Sequence, residues 1–394
     1  MKVVLIGDTH FAAGYNYGKI DTETGLNTRL LDYEKTLAKI IDYTIKNRIE
    51  LCVFLGDIFD TRNPQPSAIV AFYRQLMRLS KAGVKVVIIS GNHDSTKQRR
   101  TITTSLDPLK ELNIPNVHIF TSIDNFIFTD RDGESLNLIL MPYRNRQNYD
   151  RDTKEEALSD MKAELNAAKE RMLPKTPSIA VAHMMFEGTI PDEVGENGLN
   201  ELVLPYEMFE GIDVVIAGHI HKPEIKQEDP LFIYSGSMEC RDFSEREHNK
   251  NFLVYDSSKS GLERITHIPI HTRKFFIFDI DFTNMPAEPM EEVFERLNEK
   301  DVRDAVVKVV IKMPEKEVGL IDTHAIKAEL SRRGVSHIAE VSVSPLISRH
   351  TKNQQVSEAV DDRSAFKSYI GSQKGIDGDV LALGMEIIES VEAK

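Results

Sequence analysis

Five short segments carry residue types that can hold metal ions and act on a phosphoester: Asp8-Thr9-His10, Gly56-Asp57-Ile58-Phe59-Asp60, Gly91-Asn92-His93-Asp94, the single His183, and Gly218-His219-Ile220-His221. A carboxylate can bridge two cations, while imidazoles and a side-chain amide complete each coordination shell. A pair of metals suits phosphoester hydrolysis, since it generates hydroxide from water and neutralises charge on the phosphoryl oxygens. The pattern assigns Asp8, His10 and His221 to one metal and Asn92, His183 and His219 to the other, with Asp57 bridging them. His93 is the expected acid that protonates the leaving oxygen or steadies transition-state charge. Asp60 and Asp94 are expected to orient histidines from behind. In extended backbone a D-x-H or H-x-H pair points both side chains the same way, and the preceding glycines let backbone pass close to a crowded centre. Taken singly, each segment has a plainer explanation, such as a turn aspartate or a helix N-cap. Together, each behind an apolar run, they make one site.

The elements that must position these residues are legible as alternating patterns. Strand-like runs at 2–6, 50–55 and 84–90 flank helical patterns at 28–46 and 67–81. This alternation predicts a parallel sheet covered by helices, with ligands at the carboxyl ends of its strands. Closely spaced strands over 117–141 predict a second sheet, and short strands at 178–182 and 213–217 lead directly into His183 and His219. The highly charged helical stretch 152–172 reads as a surface excursion. Further strands are expected at 231–234, 251–255 and 263–267. Strand, helix, strand, helix and strand then follow at 274–281, 290–299, 305–311, 323–332 and 338–343, a small α+β module. Residues 351–361 read as a linker, and helical patterns at 363–370 and 379–391 end the chain, the second with an apolar stripe. The expected domains are 1–271, 272–350 and 351–394.

A length of 394 residues predicts more than one domain, and 41% hydrophobic with 28% charged residues is the balance of a soluble globular chain. No run approaches the ~20 apolar residues of a membrane span, and the first residues lack a signal-peptide pattern. The two cysteines, Cys52 and Cys240, cannot make a disulfide framework, so a cytoplasmic location is expected. A net charge of −13 argues against binding nucleic acid by general electrostatics alone. Lys97, Arg99 and Arg100, just after the Gly91-Asn92-His93-Asp94 segment, form the basic cluster nearest the site. They are the expected phosphate contacts, with Arg62 as a further candidate.

GDTH, GDIFD, GNHD, the single histidine and GHIH resemble the calcineurin-like metallophosphoesterase superfamily. The flanks GDIFDTRNPQP, SGNHDS, GIDVVIAGHIHKPE and IYSGS more closely resemble the SbcD-type double-strand-break repair nucleases. The resemblance implies an α/β fold, a four-layer αββα sandwich with its dinuclear site at the strand ends, plus a small α+β capping domain over 272–350. It also implies two divalent ions, Mn2+ by preference, with 3′-to-5′ exonuclease action on duplex DNA and endonuclease action on single strands. Its implied partners are DNA, a second copy of the chain, and an SbcC-type coiled-coil ABC ATPase, giving a heterotetramer in which the 351–394 helical tail docks on the coiled coil. The sequence departs from the pattern after IYSGS, where Met238 stands in place of the usual proline.

Two rivals share these residues. One is a phosphatase or small-molecule phosphodiesterase with the same metals, which needs neither a capping module nor a docking tail. The other is a non-catalytic scaffold for the ATPase, which has no physical need for intact ligands or for His93.

Overall fold

A computed structural model of the chain describes residues 1–96, 103–189, 201–228, 230–346, 366, 383–385 and 388. Lys97, Arg99, Arg100 and most of the 351–394 tail lie outside the described residues. Contacts divide the chain into two compact units, one of Met1–Ile277 with Val302–Lys308 and Glu329–Ala339, the other of Phe278–Asp301, Val309–Ala328 and Glu340–Lys394.

The first unit is built on two six-stranded sheets. Strands β1 (Lys2–Ile6), β2 (Leu51–Phe54), β3 (Lys85–Ile89) and β4 (Val117–Phe120) alternate with helices α1 (Thr28–Lys46), α2 (Pro66–Lys81) and the short α3 (Asp107–Glu111). These four strands are mutually parallel. The second sheet uses β5 (Asp124–Thr129), β6 (Ser135–Met141) and, after helix α4 (Lys154–Lys169), β7 (Ser178–Ala182). A parallel pair, β8 (Met185–Phe186) and β9 (Val203–Leu204), stands apart and precedes β10 (Val214–Ala217), β11 (Glu224–Glu228) and β12 (Leu231–Tyr234). Strands β13 (Asn251–Asp256) and β14 (Ile265–Pro269) return to the first sheet, whose order is β14–β13–β1–β2–β3–β4; the second runs β11–β12–β10–β7–β6–β5. In the second sheet β6, β7, β10 and β12 are parallel neighbours.

The alternation of side chains along each strand generates the layers. Val3, Leu5, Leu51, Val53, Val87 and Ile89 from the first sheet meet Leu138, Leu140, Ile179, Val181, Val214 and Ile216 from the second. The intervening residues Val4, Ile6, Cys52, Phe54, Val86 and Ile88 face α1 and α2, where Leu30, Leu37, Ile40, Phe72 and Leu76 cover them. Strands covered on both faces read as continuous apolar runs, as the sequence of β1 to β3 does. On the far side Ala180, Ala182, Val215, Phe232 and Tyr234 pack with α4. The result is the four-layer αββα sandwich.

Helix α4 corrects the reading of 152–172 as a surface excursion. Ala157, Met161, Leu165 and Ala168 are fully buried at spacings of four, four and three, one narrow stripe along an otherwise charged helix. Charge on the other faces hid that stripe from composition. The helix starts at a capping box in which Thr153 and Glu156 satisfy each other's backbone N–H.

The later elements are β15 (Phe275–Asp281), α5 (Pro289–Asn298), β16 (Val306–Pro314), α6 (Thr323–Arg332) and β17 (His337–Leu346), with the strands in the order β15–β16–β17. They follow the predicted strand and helix succession. Among the described residues no helix is long and apolar enough to cross a membrane.

Candidate metal centre

Each predicted ligand follows the carboxyl end of a parallel strand: Asp8 and His10 after β1, Asp57 after β2, Asn92 after β3, His183 after β7, His219 and His221 after β10. The two sheets therefore deliver their ligands to one end of the sandwich, where open α/β sheets bind ligands. Asp8, His10, Asp57 and His183 are buried as a floor, and Asn92, His93, His219 and His221 form a half-buried rim.

Two donor groups share one carboxylate. In the first, His10 Nε2 and His221 Nε2 are 2.9 Å apart, and Asp8 Oδ2 lies 3.5 Å from His221 Nε2 and 4.0 Å from His10 Nε2. In the second, Asn92 Oδ1 is 3.0 Å from both His183 Nε2 and His219 Nδ1. Asp57 Oδ2 faces both groups, 3.6 Å from His10 Nε2 and 3.4 Å from His183 Nε2. All seven predicted ligands thus converge, with Asp57 between the two groups. The donor set is nitrogen and oxygen without thiolate, which fits divalent ions of borderline to hard character.

The backbone reaches this arrangement by a route that the extended D-x-H argument missed. His10, Asp57 and His219 have φ values of 44°, 47° and 82°, in the left-handed region that non-glycine residues seldom occupy. Strain of this kind persists only where surrounding structure over-determines it. Two glycines make the approach possible. A Cβ on Gly56, itself at φ +97°, would lie 2.4 Å from His183 Nδ1, and one on Gly91 would lie 2.1 Å from Asp57 Oδ1.

Burial disfavours charge on Asp57, yet the imidazoles of His183, His10 and His93 outweigh it and hold the carboxyl well below its ordinary range. Burial likewise favours neutral His183, and Asp57 with Asp8 reverses that, raising its pKa. The pKa of His221 is also raised: burial opposes the proton, while the Glu245 hydrogen bond and Asp8 hold it. For His10 burial prevails and lowers the pKa, despite Asp60 and Asp57.

A second ring of contacts fixes the rings. His183 Nδ1 is 2.7 Å from the Leu55 carbonyl, leaving Nε2 for the site. His219 Nε2 meets Glu201 Oε2 at 2.9 Å, and His221 Nδ1 meets Glu245 Oε1 at 2.6 Å. Carboxylates and carbonyls behind histidines select the tautomer and increase ligand basicity. His93 donates its backbone N–H to Asp57 Oδ1 at 2.8 Å, and its Nδ1 lies 2.8 Å from the Asp60 carbonyl. Asp60 Oδ1 is 3.4 Å from His10 Nδ1 and 2.8 Å from an Arg241 guanidinium nitrogen, so it faces the histidine from behind.

Asp94 does not. Its carboxylate accepts from the backbone N–H groups of Ile58, Phe59 and Gly91 and from Ser105 Oγ, at 3.0–3.1 Å. It therefore staples the loops after β2 and β3 together and orients no histidine. Burial and the Asp57 charge push its pKa up to about 6 against those donors. Arg62 is exposed on the loop after β2. Sequence reasoning missed Glu201, Arg241, Glu245 and Lys250 as site residues, because none falls within a spacing that local geometry could tie to a ligand.

The sequence profile of calcineurin-like phosphoesterases matches residues 1–223. The SbcD component of the SbcCD nuclease of Bacillus subtilis is 24% identical over 389 residues, covering 93% of this chain and 94% of that protein. The DNA double-strand break repair protein Mre11 of Sulfolobus acidocaldarius is 23% identical over 310 residues, 77% of this chain and 72% of that protein. Among solved structures, a dimetal phosphatase from Danio rerio is similar with a TM-score of 0.41 and 13% identity, over 68% of this chain and 96% of that one. With more than half of its length matched and all seven donors gathered at the strand ends, the chain belongs to the calcineurin-like phosphoesterase family.

Proposed function

We propose that this chain is a Mn2+-dependent DNA nuclease that hydrolyses phosphodiesters with two metals. The observation that carries the reading is the shared Asp57 carboxylate between two donor groups, with His93 anchored beside it. Similarity to SbcD and Mre11 repair nucleases over most of the chain supports DNA as the substrate. On this reading Asp8, His10 and His221 would hold one ion, Asn92, His183 and His219 the other, and Asp57 would serve both. Divalent ions there would supply Lewis acidity for phosphoester hydrolysis.

The chain's own contribution is position and a proton. His93 Nδ1 donates to the Asp60 carbonyl, and its ring stands edge-on to His10 with centroids 4.9 Å apart. That leaves Nε2 as the atom that hands a proton to the leaving oxygen or donates to the charged transition state. Asp57 keeps the backbone of His93 in place, so the same carboxylate that serves the metals also sets the acid.

The reading extends to 3′-to-5′ action on duplex ends and endonuclease action on single strands. It takes 272–350 as the capping domain and Arg62, Lys97, Arg99 and Arg100 as phosphate contacts. It places the chain as a homodimer with an SbcC-type coiled-coil ATPase held by 351–394, in the cytoplasm. The deciding experiment is an assay on end-labelled duplex DNA with added Mn2+, with and without chelator. Metal-dependent shortening of the labelled strand is expected. Turnover of a generic phosphodiester without any cut in DNA would transfer the site to the small-molecule phosphodiesterases, and no turnover of either would leave a scaffold.

A further inference from the structure

Behind His221 lies a charged chain that the ligand set does not include. Glu245 Oε1 is 2.6 Å from His221 Nδ1, and Glu245 Oε2 accepts from Lys250 Nζ at 2.5 Å. Lys250 Nζ also donates to Ser237 Oγ at 2.7 Å, and the backbone N–H of Arg241 donates to Glu245 Oε2 at 3.3 Å. The side chains of Lys250 and Glu245 are only 1% and 5% exposed. A lysine and a glutamate are almost never buried this deeply unless paired, and the pair gains little stability over apolar residues of equal volume. Stability alone therefore gives a weak reason for it, and orientation gives a strong one.

Its placement supports orientation. Lys250 immediately precedes β13, which pairs with β1 in register Val4 to Val254 and Leu5 to Leu253, and β1 leads directly into Asp8 and His10. The ammonium is thus fixed to the same sheet that delivers two of the three donors of this position. Its effect on Glu245 is to hold one carboxylate oxygen, so that the other meets His221 Nδ1. The second position is backed differently. His183 is backed by a backbone carbonyl, and His219 by Glu201, whose side chain is 26% exposed.

We propose that Lys250 is a positioning residue of the metal centre, acting through Glu245 to fix the His221 ring with Nε2 as donor. It thereby sets the affinity of the Asp8–His10–His221 position and leaves the Asn92–His183–His219 position unaffected. The inference rests on the two-metal reading above.

The test is a calorimetric titration of Mn2+ into the full chain after chelator stripping. Wild type is expected to show two binding events, and Asn92→Ala marks which belongs to the second position by weakening it. Lys250→Met is expected to weaken only the other event, about 10–100-fold, the usual cost of losing an outer partner, and Lys250→Arg to restore most of it. Because Lys250→Met leaves a buried carboxylate without its cation, the neutral Lys250→Gln, which keeps Glu245 and an N–H donor but lacks the charge and reach of the ammonium, decides the matter if Lys250→Met does not fold. The same selective loss is expected there. Two unchanged events, or two that weaken together, overturn the inference while leaving the metal reading intact. A wild type that binds no Mn2+ overturns the metal reading, and this inference with it.

Discussion

His10 and His221 present their Nε2 atoms to each other at 2.9 Å, while each ring's Nδ1 faces a carboxylate: Asp60 at 3.4 Å and Glu245 at 2.6 Å. With Nδ1 protonated on both rings, two lone pairs point into the same small volume. A proton on one Nε2, or a cation between the two, relieves them. The pairing therefore suits a shared positive charge, and Glu245 favours it by holding the His221 Nδ1.

Metal binding should accordingly be coupled to protons. In the metal-free chain His183 and His221 have raised pKa values, so they keep their protons to higher pH than an ordinary histidine. An incoming ion must displace those protons, so affinity rises with pH through the raised values and falls as pH drops. Titration of Mn2+ in two buffers of different ionisation enthalpy should show net proton release. Each ion at about 100 times its dissociation constant should add about 2.7 kcal/mol to stability, lost on chelation. An affinity flat between about pH 6 and pH 9 would contradict the protonated state assigned to these rings.

His93 is tied to the site by its backbone N–H on Asp57 and by the Asp60 carbonyl, and its ring packs edge-on to His10 without joining either donor group. His93→Ala should therefore retain both ions and lose cleavage by about 10²–10⁴-fold, the range of general acid–base contributions. Metal content by elemental analysis and cleavage of end-labelled duplex separate the two roles. A variant that cuts at the wild-type rate with Mn2+ present removes His93 from the reaction.

The candidate ligands were legible in sequence because each sits directly behind an apolar strand, and strand ends in α/β sheets are where ligands gather. The first sheet was legible for a related reason: its strands are buried on both faces and read as unbroken apolar runs between helical patterns. What stayed hidden depends on contacts across long separations. Glu245 and Lys250 lie behind His221 on a later loop, and Glu201 backs His219 from 18 residues upstream. Asp60 and Asp94 looked equivalent in sequence, and only the fold separates the aspartate behind His10 from the one that staples two loops. The left-handed backbone at His10, Asp57 and His219 gave no signal at all, since non-glycine residues there follow no composition rule.

Helix α4 provides a test of packing independent of the chemistry. Leu165 is fully buried on the outer face of the second sheet, within a cluster that includes Ala182, the residue before His183. Leu165→Ala should cost about 2–5 kcal/mol, as removal of a buried leucine side chain does. A surface excursion would tolerate the change within about 0.5 kcal/mol. Urea unfolding followed by far-ultraviolet dichroism distinguishes these outcomes.

The proposed docking of the ATPase on the tail predicts a separation of functions. Leu383 lies on a helical segment and is 61% exposed, a large apolar side chain turned to solvent. Its neighbour Gly384 lies so close to Phe366 that a Cβ there would stand 2.1 Å from the ring, whereas Leu383 itself is exposed. An amphipathic helix binds a groove through such anchors, and a charge at one of them opposes burial. Leu383→Asp should weaken capture of an SbcC-type ATPase, and deletion of 351–394 should abolish it. Both should leave Mn2+-dependent cleavage by the isolated chain unchanged, since no predicted ligand lies beyond His221. Co-purification with the ATPase and cleavage of end-labelled duplex, measured on the same preparations, check both halves. Undiminished capture by the deletion variant would place the docking surface elsewhere on the chain.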